Sequence, residues 1–248
     1  GWREPSYAHV PLIHGPDGAK LSKRHGALAI EAYRDMGYLP DAMRNYLLRL
    51  GWSHGDDEII PTEKAIEWFN FESIGKSAAR FDIKKLENLN GHYIREMDDA
   101  ALTLEVIATA ERQTPEIQIS ENVRQRLAAA MPGLKARAKT LSELTENAQF
   151  LFSDGPRAPD AKAAKLLSPD ARARLSRLAQ ILDSTSWDPS SLEAKVREFV
   201  ESEGVKLGDV AQPLRAALTG KTSSPPIFDV LAVLGPTEAL ARIRAHAN

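Results

Sequence analysis

Apolar residues recur at helical spacing through most of the chain. Met43, Leu47 and Leu50 lie at i, i+4 and i+7, behind Pro40, which suits the first turn of a helix. Gly51 is placed to end that helix. Two further helices are predicted, at 62–69 and 82–90. The stretch 51–61, which precedes them, is polar and predicts a loop.

From Asp98 onward the pattern predicts helices only. Leu175, Leu178 and Leu182 repeat at i, i+3 and i+7. The sequence Ser190-Ser191-Leu192-Glu193 has the spacing of a capping box, which predicts a helix start at Ser190. The segment 230–247 reads as a helix with a break at Gly235-Pro236.

A single short β element is predicted near the amino terminus. Residues 7–13 read as a strand that Pro11 restricts, and Pro16-Asp17-Gly18 forms a turn after it. Linkers are predicted at 113–115, 153–160 and 220–226, where proline, glycine and small polar residues cluster. The predicted fold class is therefore mainly α with a small β element.

Composition narrows the class of protein. The chain has 248 residues, 43% hydrophobic and 27% charged, and its mean hydropathy is -0.34, which is typical of globular domains. It contains no cysteine, which excludes disulfides and thiolate metal sites and fits a reducing cytoplasm. No apolar run approaches the roughly 18 residues of a membrane span, so no membrane partner is expected. Because the chain opens at Gly1-Trp2 without an initiator methionine, we expect a piece of a longer protein.

Charge is distributed unevenly although the net charge is only -2. Basic residues outnumber acidic ones between Arg124 and Arg177, and the stretch 183–203 that follows is acidic. Such an asymmetry predicts one face that binds a polyanion. The six histidines have no metal-ligand spacing, so no metal site is predicted.

The strongest chemical signal is a cationic loop directly after the predicted turn, Lys20-Leu21-Ser22-Lys23-Arg24-His25-Gly26. An ammonium can follow a moving phosphate, and a guanidinium can hold two phosphate oxygens. Cations placed in advance stabilise the charge that develops on departing pyrophosphate during nucleotidyl transfer. The alternative interpretation is a solvated turn with no ligand.

These residues resemble the KMSKS signature of class I aminoacyl-tRNA synthetases, in the variant that glutamate enzymes use. Further similar motifs follow in order along the chain: Gly15-Pro16-Asp17-Gly18, Tyr38-Leu39-Pro40, Leu50-Gly51-Trp52, Asn90-Gly91-His92-Tyr93-Ile94-Arg95 and Ala211-Gln212-Pro213-Leu214-Arg215. The resemblance covers essentially the whole chain. It is to the carboxy-terminal portion of bacterial-type glutamyl-tRNA synthetases.

The resemblance implies an ATP-binding role for Lys20, Leu21, Ser22, Lys23 and Arg24. Lys23 would be the catalytic lysine that contacts the ATP phosphates, while Lys20 would orient the loop. The HIGH signature of the family, its Rossmann domain and its glutamate pocket belong upstream and are absent here, so this chain alone is expected to be inactive. Magnesium would be carried by ATP phosphates and water, and no zinc is expected because that insertion also lies upstream.

The resemblance further implies three regions with RNA-binding roles. They are a KMSKS-loop and stem-contact region at 1–98 and two helical anticodon-binding modules at 99–155 and 156–248. Arg137 occupies the position of an arginine that reads the last anticodon base. Arg215, Ser224 and Ile227 lie where the closing module contacts anticodon nucleotides. The alternatives are a solvated charge at Arg137 and simple helix packing around Arg215.

The aromatic residues add a weaker indication of base stacking. Trp52, Trp68, Tyr93 and Trp187 could stack on RNA bases, although core packing is the expectation for Trp68.

The resemblance therefore implies the carboxy-terminal part of an enzyme that ligates glutamate to tRNA-Glu, with ATP, through glutamyl-adenylate, in which this part supplies the phosphate-binding loop and tRNA recognition. The implied partners are tRNA-Glu, ATP and glutamate, in a cytoplasmic monomer. One alternative is a glutaminyl-tRNA synthetase relative, whose β-barrel anticodon domains would show a period of two. The other is a stand-alone helical RNA-binding module.

Overall fold

The computed structural model describes residues 2–5, 7, 9–22 and 29–247. The chain divides into two compact units. Unit 1 comprises residues 1–97 and 137–143, and unit 2 comprises residues 98–136 and 144–248. The segment 137–143 thus leaves the helical half of the sequence and joins the unit built by the amino-terminal residues. The division of the helical half at 155 stays a prediction.

The described residues of unit 1 form a two-stranded sheet and four helices. Its elements are β1 (Ile13–His14), α1 (Ile30–Asp35), α2 (Pro40–Arg49), α3 (Thr62–Trp68), β2 (Ala79–Arg80) and α4 (Ile83–Glu96). The two strands are parallel, with Ile13 opposite Ala79 and His14 opposite Arg80. The sheet therefore joins residues that are far apart in sequence.

The predicted strand over 7–13 is wrong in extent. Within that stretch only Ile13 belongs to a described strand, and β1 continues to His14. The physical reason is that β2 offers just two residues to pair with. Val10 and Leu12, in the part that forms no strand, are exposed by 69% and 55%.

The core of unit 1 is aromatic and lies between α2 and α4. Tyr33, Tyr38, Met43, Tyr46 and Leu86 are buried together. The hydroxyl of Tyr46 accepts a hydrogen bond from the Asp82 amide at 2.6 Å and donates to the Asp82 carbonyl at 3.0 Å.

Helix α4 begins at its Asp82 cap, whose carboxylate accepts from the Lys84 and Lys85 amides. It runs past the predicted end at residue 90 to Glu96, because the buried face continues beyond Asn90 with Ile94, which has no exposed surface.

Unit 2 consists of helices. They are α5 (Asp99–Gln113), α6 (Glu121–Lys135), α7 (Leu141–Ala148, whose first turn belongs to unit 1), α8 (Ala161–Ala164), α9 (Pro169–Leu182), α10 (Pro189–Ser202), α11 (Leu207–Thr219) and α12 (Ile227–Ala247), with a 3-10 turn at Gln149–Leu151. No strand occurs in the described residues from 98 onward. The mainly α fold class is confirmed.

Helix starts in unit 2 follow ordinary capping chemistry. A serine or aspartate at each start accepts a backbone N–H of the first turn in five helices, namely at Asp98, Ser120, Asp160, Ser168 and Asp188. The predicted start of α10 at Ser190 is therefore wrong. Asp188 supplies the cap, and hydrogen bonds from Ser190 and Ser191 hold the pKa of its carboxyl far below the usual range.

The break predicted in the last helix is confirmed. Gly235 has φ 73° and ψ 168°, which divides α12 into two helical segments. Glycine adopts such a positive φ without steric cost, and Pro236 begins the second segment with the φ that its ring imposes.

Candidate nucleotide loop and nucleic-acid interface

The residues before the cationic loop form a braced hairpin. The Leu21 amide donates to the Ile13 carbonyl at 2.9 Å, and His14 and Lys20 form an antiparallel bridge. The turn between them closes through the Asp17 carboxylate, which accepts from the Ala19 amide at 3.0 Å. The hairpin also belongs to the sheet, so the loop starts from a fixed base.

The predicted phosphate-binding residues divide into two groups. Lys20 is exposed on the hairpin, and Leu21 and Ser22 are half-buried just after it. Lys23 and Arg24 lie outside the described residues. The roles of all five stay predictions, but the hairpin places Lys20 at the surface where an anion can reach its ammonium group.

The structure adds a cation that the sequence did not indicate. A Cβ atom placed on Gly18 would lie 3.7 Å from the Arg80 guanidinium, so Arg80 stands beside the hairpin turn. Arg80 also lines a cleft of about 560 Å³ whose other cationic or titratable lining residues include Arg49, Lys85 and His92. Only the pairing of β1 with β2, which no local pattern reveals, brings Arg80 to this place.

The Arg137 segment lies on unit 1 and not with the other predicted RNA contacts. Arg137 and Lys139 are exposed, while Ala138 between them is fully buried. The Asn90 side chain of α4 donates to the Lys139 carbonyl at 2.6 Å. Two cations are thus displayed on a segment whose backbone is attached to a helix.

Arg215 and Ser224 are brought together in unit 2. The Arg215 Nε donates to the Ser224 hydroxyl at 2.9 Å, and that hydroxyl donates to the Pro225 carbonyl at 2.7 Å. Burial lowers the pKa of the Arg215 guanidinium from its ordinary value. Ile227, at the start of α12, is 5% exposed, so its side chain contributes to the core of unit 2. The RNA-binding roles of these three residues stay predictions.

The basic stretch between Arg124 and Arg177 is less available than its sequence suggests. Three of its cations are engaged in ion pairs, Arg126 with Asp154, Lys135 with Asp99, and Arg177 with Glu203. Arg172 donates to the carbonyls of Leu167 and His246. Carboxylates before the stretch, within it and in the acidic flank, namely Asp99, Asp154 and Glu203, therefore neutralise part of its charge.

A buried arginine organises unit 2 and was missed by the sequence reading. Arg242 has no exposed surface, and its Nε donates to the Glu238 carboxylate at 2.6 Å. Its terminal nitrogens donate to the carbonyls of Phe150, Leu218 and Ser153 at 2.7 to 2.9 Å. Burial lowers the pKa of Arg242, while its bond to Glu238 acts in the opposite direction.

The candidate stacking residues have different surroundings. Trp52 is buried and its indole donates to the Asn70 carbonyl at 3.1 Å, and the Tyr93 hydroxyl donates to the Asn45 side chain at 2.9 Å. Trp68 is half-buried and stacks on His54 with ring centroids 4.2 Å apart. The expectation of core packing at Trp68 is wrong because α3 buries none of its residues. Trp187 is half-buried.

The described residues contain neither a metal-ligand cluster nor a membrane-spanning helix. That part of the chain holds no group of three or more histidine, aspartate or glutamate side chains that could bind a metal ion. Among the described helices, none is both long enough and apolar enough to cross a bilayer.

Two family models match the chain in succession. The model for the catalytic domain of class I tRNA synthetases (E and Q) matches residues 1–88, and the model for an anticodon binding domain matches residues 100–247. The second alone covers more than half of the chain. The order of the two matches agrees with the order of the motifs.

Curated relatives resemble the chain along its whole length. It is 62% identical over 248 residues to glutamate–tRNA ligase 2 of Parvibaculum lavamentivorans, covering 100% of this chain and 50% of the relative. It is 59% identical over 244 residues to glutamate–tRNA ligase 2 of Rhodospirillum centenum, covering 98% of this chain and 52% of the relative. The chain therefore spans about half the length of the curated relatives it matches.

A solved structure agrees in fold and in coverage. The glutamate tRNA ligase of Elizabethkingia meningosepticum, crystallised in complex with its amino acid, superposes with a TM-score of 0.81 at 27% identity. The match covers 99% of this chain and 52% of that structure.

Proposed function

Because this chain belongs to the glutamyl-tRNA synthetase family, we propose that it supplies the phosphate-binding loop and the RNA-binding half of a glutamate–tRNA ligase. The observation that carries the proposal is the 57–62% identity to proteins named glutamate–tRNA ligase over 98–100% of the chain. The braced hairpin beneath the cationic loop supports the catalytic part of this role. The exposed cations of unit 1 support the RNA-binding part.

The proposed reaction has two steps. The glutamate carboxylate attacks the α-phosphate of ATP, which forms glutamyl-adenylate and releases pyrophosphate. The terminal ribose hydroxyl of tRNA-Glu then attacks the glutamyl carbonyl, which forms the ester and releases AMP. Glutamate, adenine and the reacting phosphate would be held largely by the half of the relatives that this chain does not span.

Lys23 would stabilise the charge that grows on the departing pyrophosphate. A fixed ammonium contributes most where charge develops in the transition state, so it accelerates the chemical step more than it tightens substrate binding. Ser22 and Arg24 would shape the loop, and Lys20, at the end of the hairpin, would orient it. Magnesium would arrive with the ATP phosphates and water, which suits an ion that keeps much of its hydration.

Pyrophosphate exchange tests the catalytic part of the proposal. In the ligase that contains this chain, Lys23→Ala should lower kcat for glutamate-dependent ATP–pyrophosphate exchange by about 10²–10³ and leave the KM for glutamate nearly unchanged. Lys76→Ala, which removes an exposed lysine of unit 1 outside the loop, is the matched control and should retain normal exchange. Near-normal exchange by Lys23→Ala would reduce the loop to a solvated turn.

The isolated chain provides a complementary test. It should form no adenylate, because the cationic loop has no adenine or glutamate site to act with. It should still bind tRNA-Glu, with an affinity that falls as salt increases because phosphate contacts release counterions. Adenylate formation by the chain alone would mean that the catalytic groups have been assigned to the wrong half.

The remaining parts of the proposal concern the protein's setting. We place the ligase in the cytoplasm, where a cysteine-free chain and its tRNA substrate are both expected, and as a monomer. A glutaminyl-tRNA synthetase relative is not favoured, because residues 98–247 form helices where that family has β-barrels. A stand-alone RNA-binding module is not favoured either, because the catalytic-domain family model matches residues 1–88.

A further inference from the structure

Asn90 is a buried amide in the middle of α4, with no exposed surface. Its side chain makes three hydrogen bonds, all to backbone groups about fifty residues away. The oxygen accepts from the Leu39 amide at 2.8 Å, and the nitrogen donates to the carbonyls of Gly37 at 3.3 Å and Lys139 at 2.6 Å. Because all three bonds join α4 to distant parts of the backbone, this buried amide fixes the relative positions of the segments it contacts.

One of those segments, 137–143, packs so closely against Gly37 and α4 that backbone atoms are in contact. The Leu141 amide donates to the Gly37 carbonyl at 2.8 Å. Gly37 has φ 87°, and a Cβ atom there would lie 2.4 Å from the Ser142 nitrogen. On α4, a Cβ atom on Gly91 would lie 3.3 Å from the Ala138 carbonyl oxygen. The segment therefore has little room to shift while these contacts persist.

The same segment is braced internally at the start of α7. The Glu143 amide donates to the Thr140 hydroxyl at 3.1 Å, and the Glu143 carboxylate accepts from the Lys139 amide at 2.9 Å. The two bonds resemble a reciprocal helix cap. The Lys139 residue is thus held on both sides, through its carbonyl by Asn90 and through its amide by Glu143.

The side chains of Arg137 and Lys139 nevertheless project to solvent. The backbone that carries them is ordered before any ligand arrives, so binding RNA costs less conformational entropy than it would from a free loop. A guanidinium benefits most, because its fork of donors recognises a base edge only when its direction is set.

We propose that Asn90 is a positioning residue for RNA recognition, which acts by holding the backbone of 137–139 so that Arg137 is aimed at its base. The inference rests on the proposed function, since it assumes that Arg137 contacts tRNA. It assigns to Asn90 an effect on tRNA affinity that passes through Arg137, although Asn90 itself is too buried to touch RNA.

A double-mutant cycle on this chain tests the inference. The variants are Asn90→Asp, Arg137→Gln and the two combined, titrated against a tRNA-Glu transcript at fixed salt. Asn90→Asp keeps the acceptor for the Leu39 amide but sets a carboxylate against the two carbonyls. It should weaken binding by about five-fold or more in the presence of Arg137, and by less than about two-fold in its absence.

Asn45→Asp is the matched control, because Asn45 is a buried asparagine of the same unit with the same kind of role. It accepts from the Ile60 amide at 2.9 Å and donates to the Glu58 carbonyl at 3.2 Å, but its bonds do not reach the segment 137–143. A general loss of stability would make both aspartate variants equally harmful to binding. The inference predicts that only Asn90→Asp interacts with Arg137→Gln.

The possible results distinguish failure of the positioning role of Asn90 from failure of the RNA contact assumed for Arg137. If Arg137→Gln leaves tRNA binding unchanged, the assignment of Arg137 fails, and the positioning role fails with it. If Arg137→Gln weakens tRNA binding, and Asn90→Asp weakens it by the same factor with and without Arg137, then Arg137 contacts RNA but Asn90 has only a structural role. If Asn90→Asp does not fold, Asn90→Ser replaces it in the same cycle, because it removes the reach of the amide without adding a buried charge.

Discussion

Arg137 in unit 1 and Arg242 in unit 2 are the same residue type in opposite surroundings. Arg242 has no exposed surface, and its donors end on one carboxylate and three carbonyls. Arg137 is exposed, and it is the backbone around it, not its guanidinium, that the protein holds. One arginine joins chain segments together, and the other is presented to solvent from a fixed position.

The difference shows why counting cations does not locate an RNA-binding face. The part of the basic stretch that belongs to unit 2 contains more positive residues than 137–139, yet Arg126, Lys135 and Arg177 are already paired with carboxylates. A cation engaged by the protein must break those contacts before it binds a phosphate. A cation that is exposed on an ordered backbone has no such cost to offset.

Removing Arg242 should produce the largest effect on stability. Arg242→Met leaves the Glu238 carboxylate, 8% exposed, with the Gly155 amide at 2.8 Å as its one remaining donor among the described residues, and leaves three carbonyls without this donor. We expect the free energy of unfolding in urea to fall by about 3–5 kcal/mol. Arg244→Met is the control, since its pair with Asp183 is more than half exposed and should contribute about 0–1 kcal/mol. Equal losses in the two variants would contradict the distinction between the buried and exposed arginines.

Changing Gly37 should displace the segment that carries Arg137. Gly37→Ala forces a side chain to φ 87° and places its Cβ atom within 2.4 Å of Ser142. We expect a loss of about 1–2 kcal/mol from the backbone conformation alone, together with weaker binding of tRNA-Glu. Gly55→Ala is matched in backbone strain, with φ 55°, but meets no atom within 4 Å. It should lose stability and retain tRNA affinity, and a loss of affinity in both variants would indicate a nonspecific effect.

Arg215 is half-buried, between the buried Arg242 and the exposed Arg137. Ser224→Ala tests whether its role is structural or whether it is directed at RNA. The variant removes the hydroxyl that accepts from the Arg215 Nε at 2.9 Å. We expect the free energy of unfolding to fall by about 1 kcal/mol, and tRNA affinity to fall if the bond aims Arg215 at RNA. The control is Ser223→Ala at the exposed neighbouring position. An unchanged affinity with reduced stability would place Arg215 with Arg242, as a structural arginine.

Lys139 should show the smallest and least selective effect. Its ammonium is exposed, and a phosphate contact carries no base information. Lys139→Gln should weaken binding of different tRNAs by the same factor and reduce the slope of log K against log salt by about 1. A salt series with two tRNAs measures both quantities. Selective loss of one tRNA would give Lys139 a base-reading role that the present account denies it.

Local sequence signals predicted much of this molecule. The start of α2 behind Pro40, the break at Gly235 and the helical period after residue 98 all depend on neighbours in sequence, and all are confirmed. The strand over 7–13 was wrong because its length depends on a two-residue partner at Ala79–Arg80. The residue pattern of one strand does not show how long its partner strand will be.

The sequence named candidate site residues, whose roles stay predictions, but it did not indicate their arrangement. The motifs indicated Arg137 and Arg215 directly. Asn90 and Arg80, in contrast, are positioned by pairings with residues about fifty or more positions away in sequence. Arg242 was not singled out from the sequence, since nothing near it in sequence predicts the carbonyls of Phe150 and Leu218 around it. Tertiary contacts between distant segments decide which arginines are held and which are displayed.

The most direct test of the account is whether Arg137 reads a base. The measurement is the ratio of dissociation constants of this chain for tRNA-Glu and for a tRNA-Glu changed only at the last anticodon base, with and without Arg137→Gln. The substitution should reduce discrimination between the two tRNAs by about 1–3 kcal/mol, because a guanidinium fork can recognise one base edge. If Arg137→Gln instead weakens binding of both tRNAs by the same factor, Arg137 contacts only the RNA backbone and does not read the base.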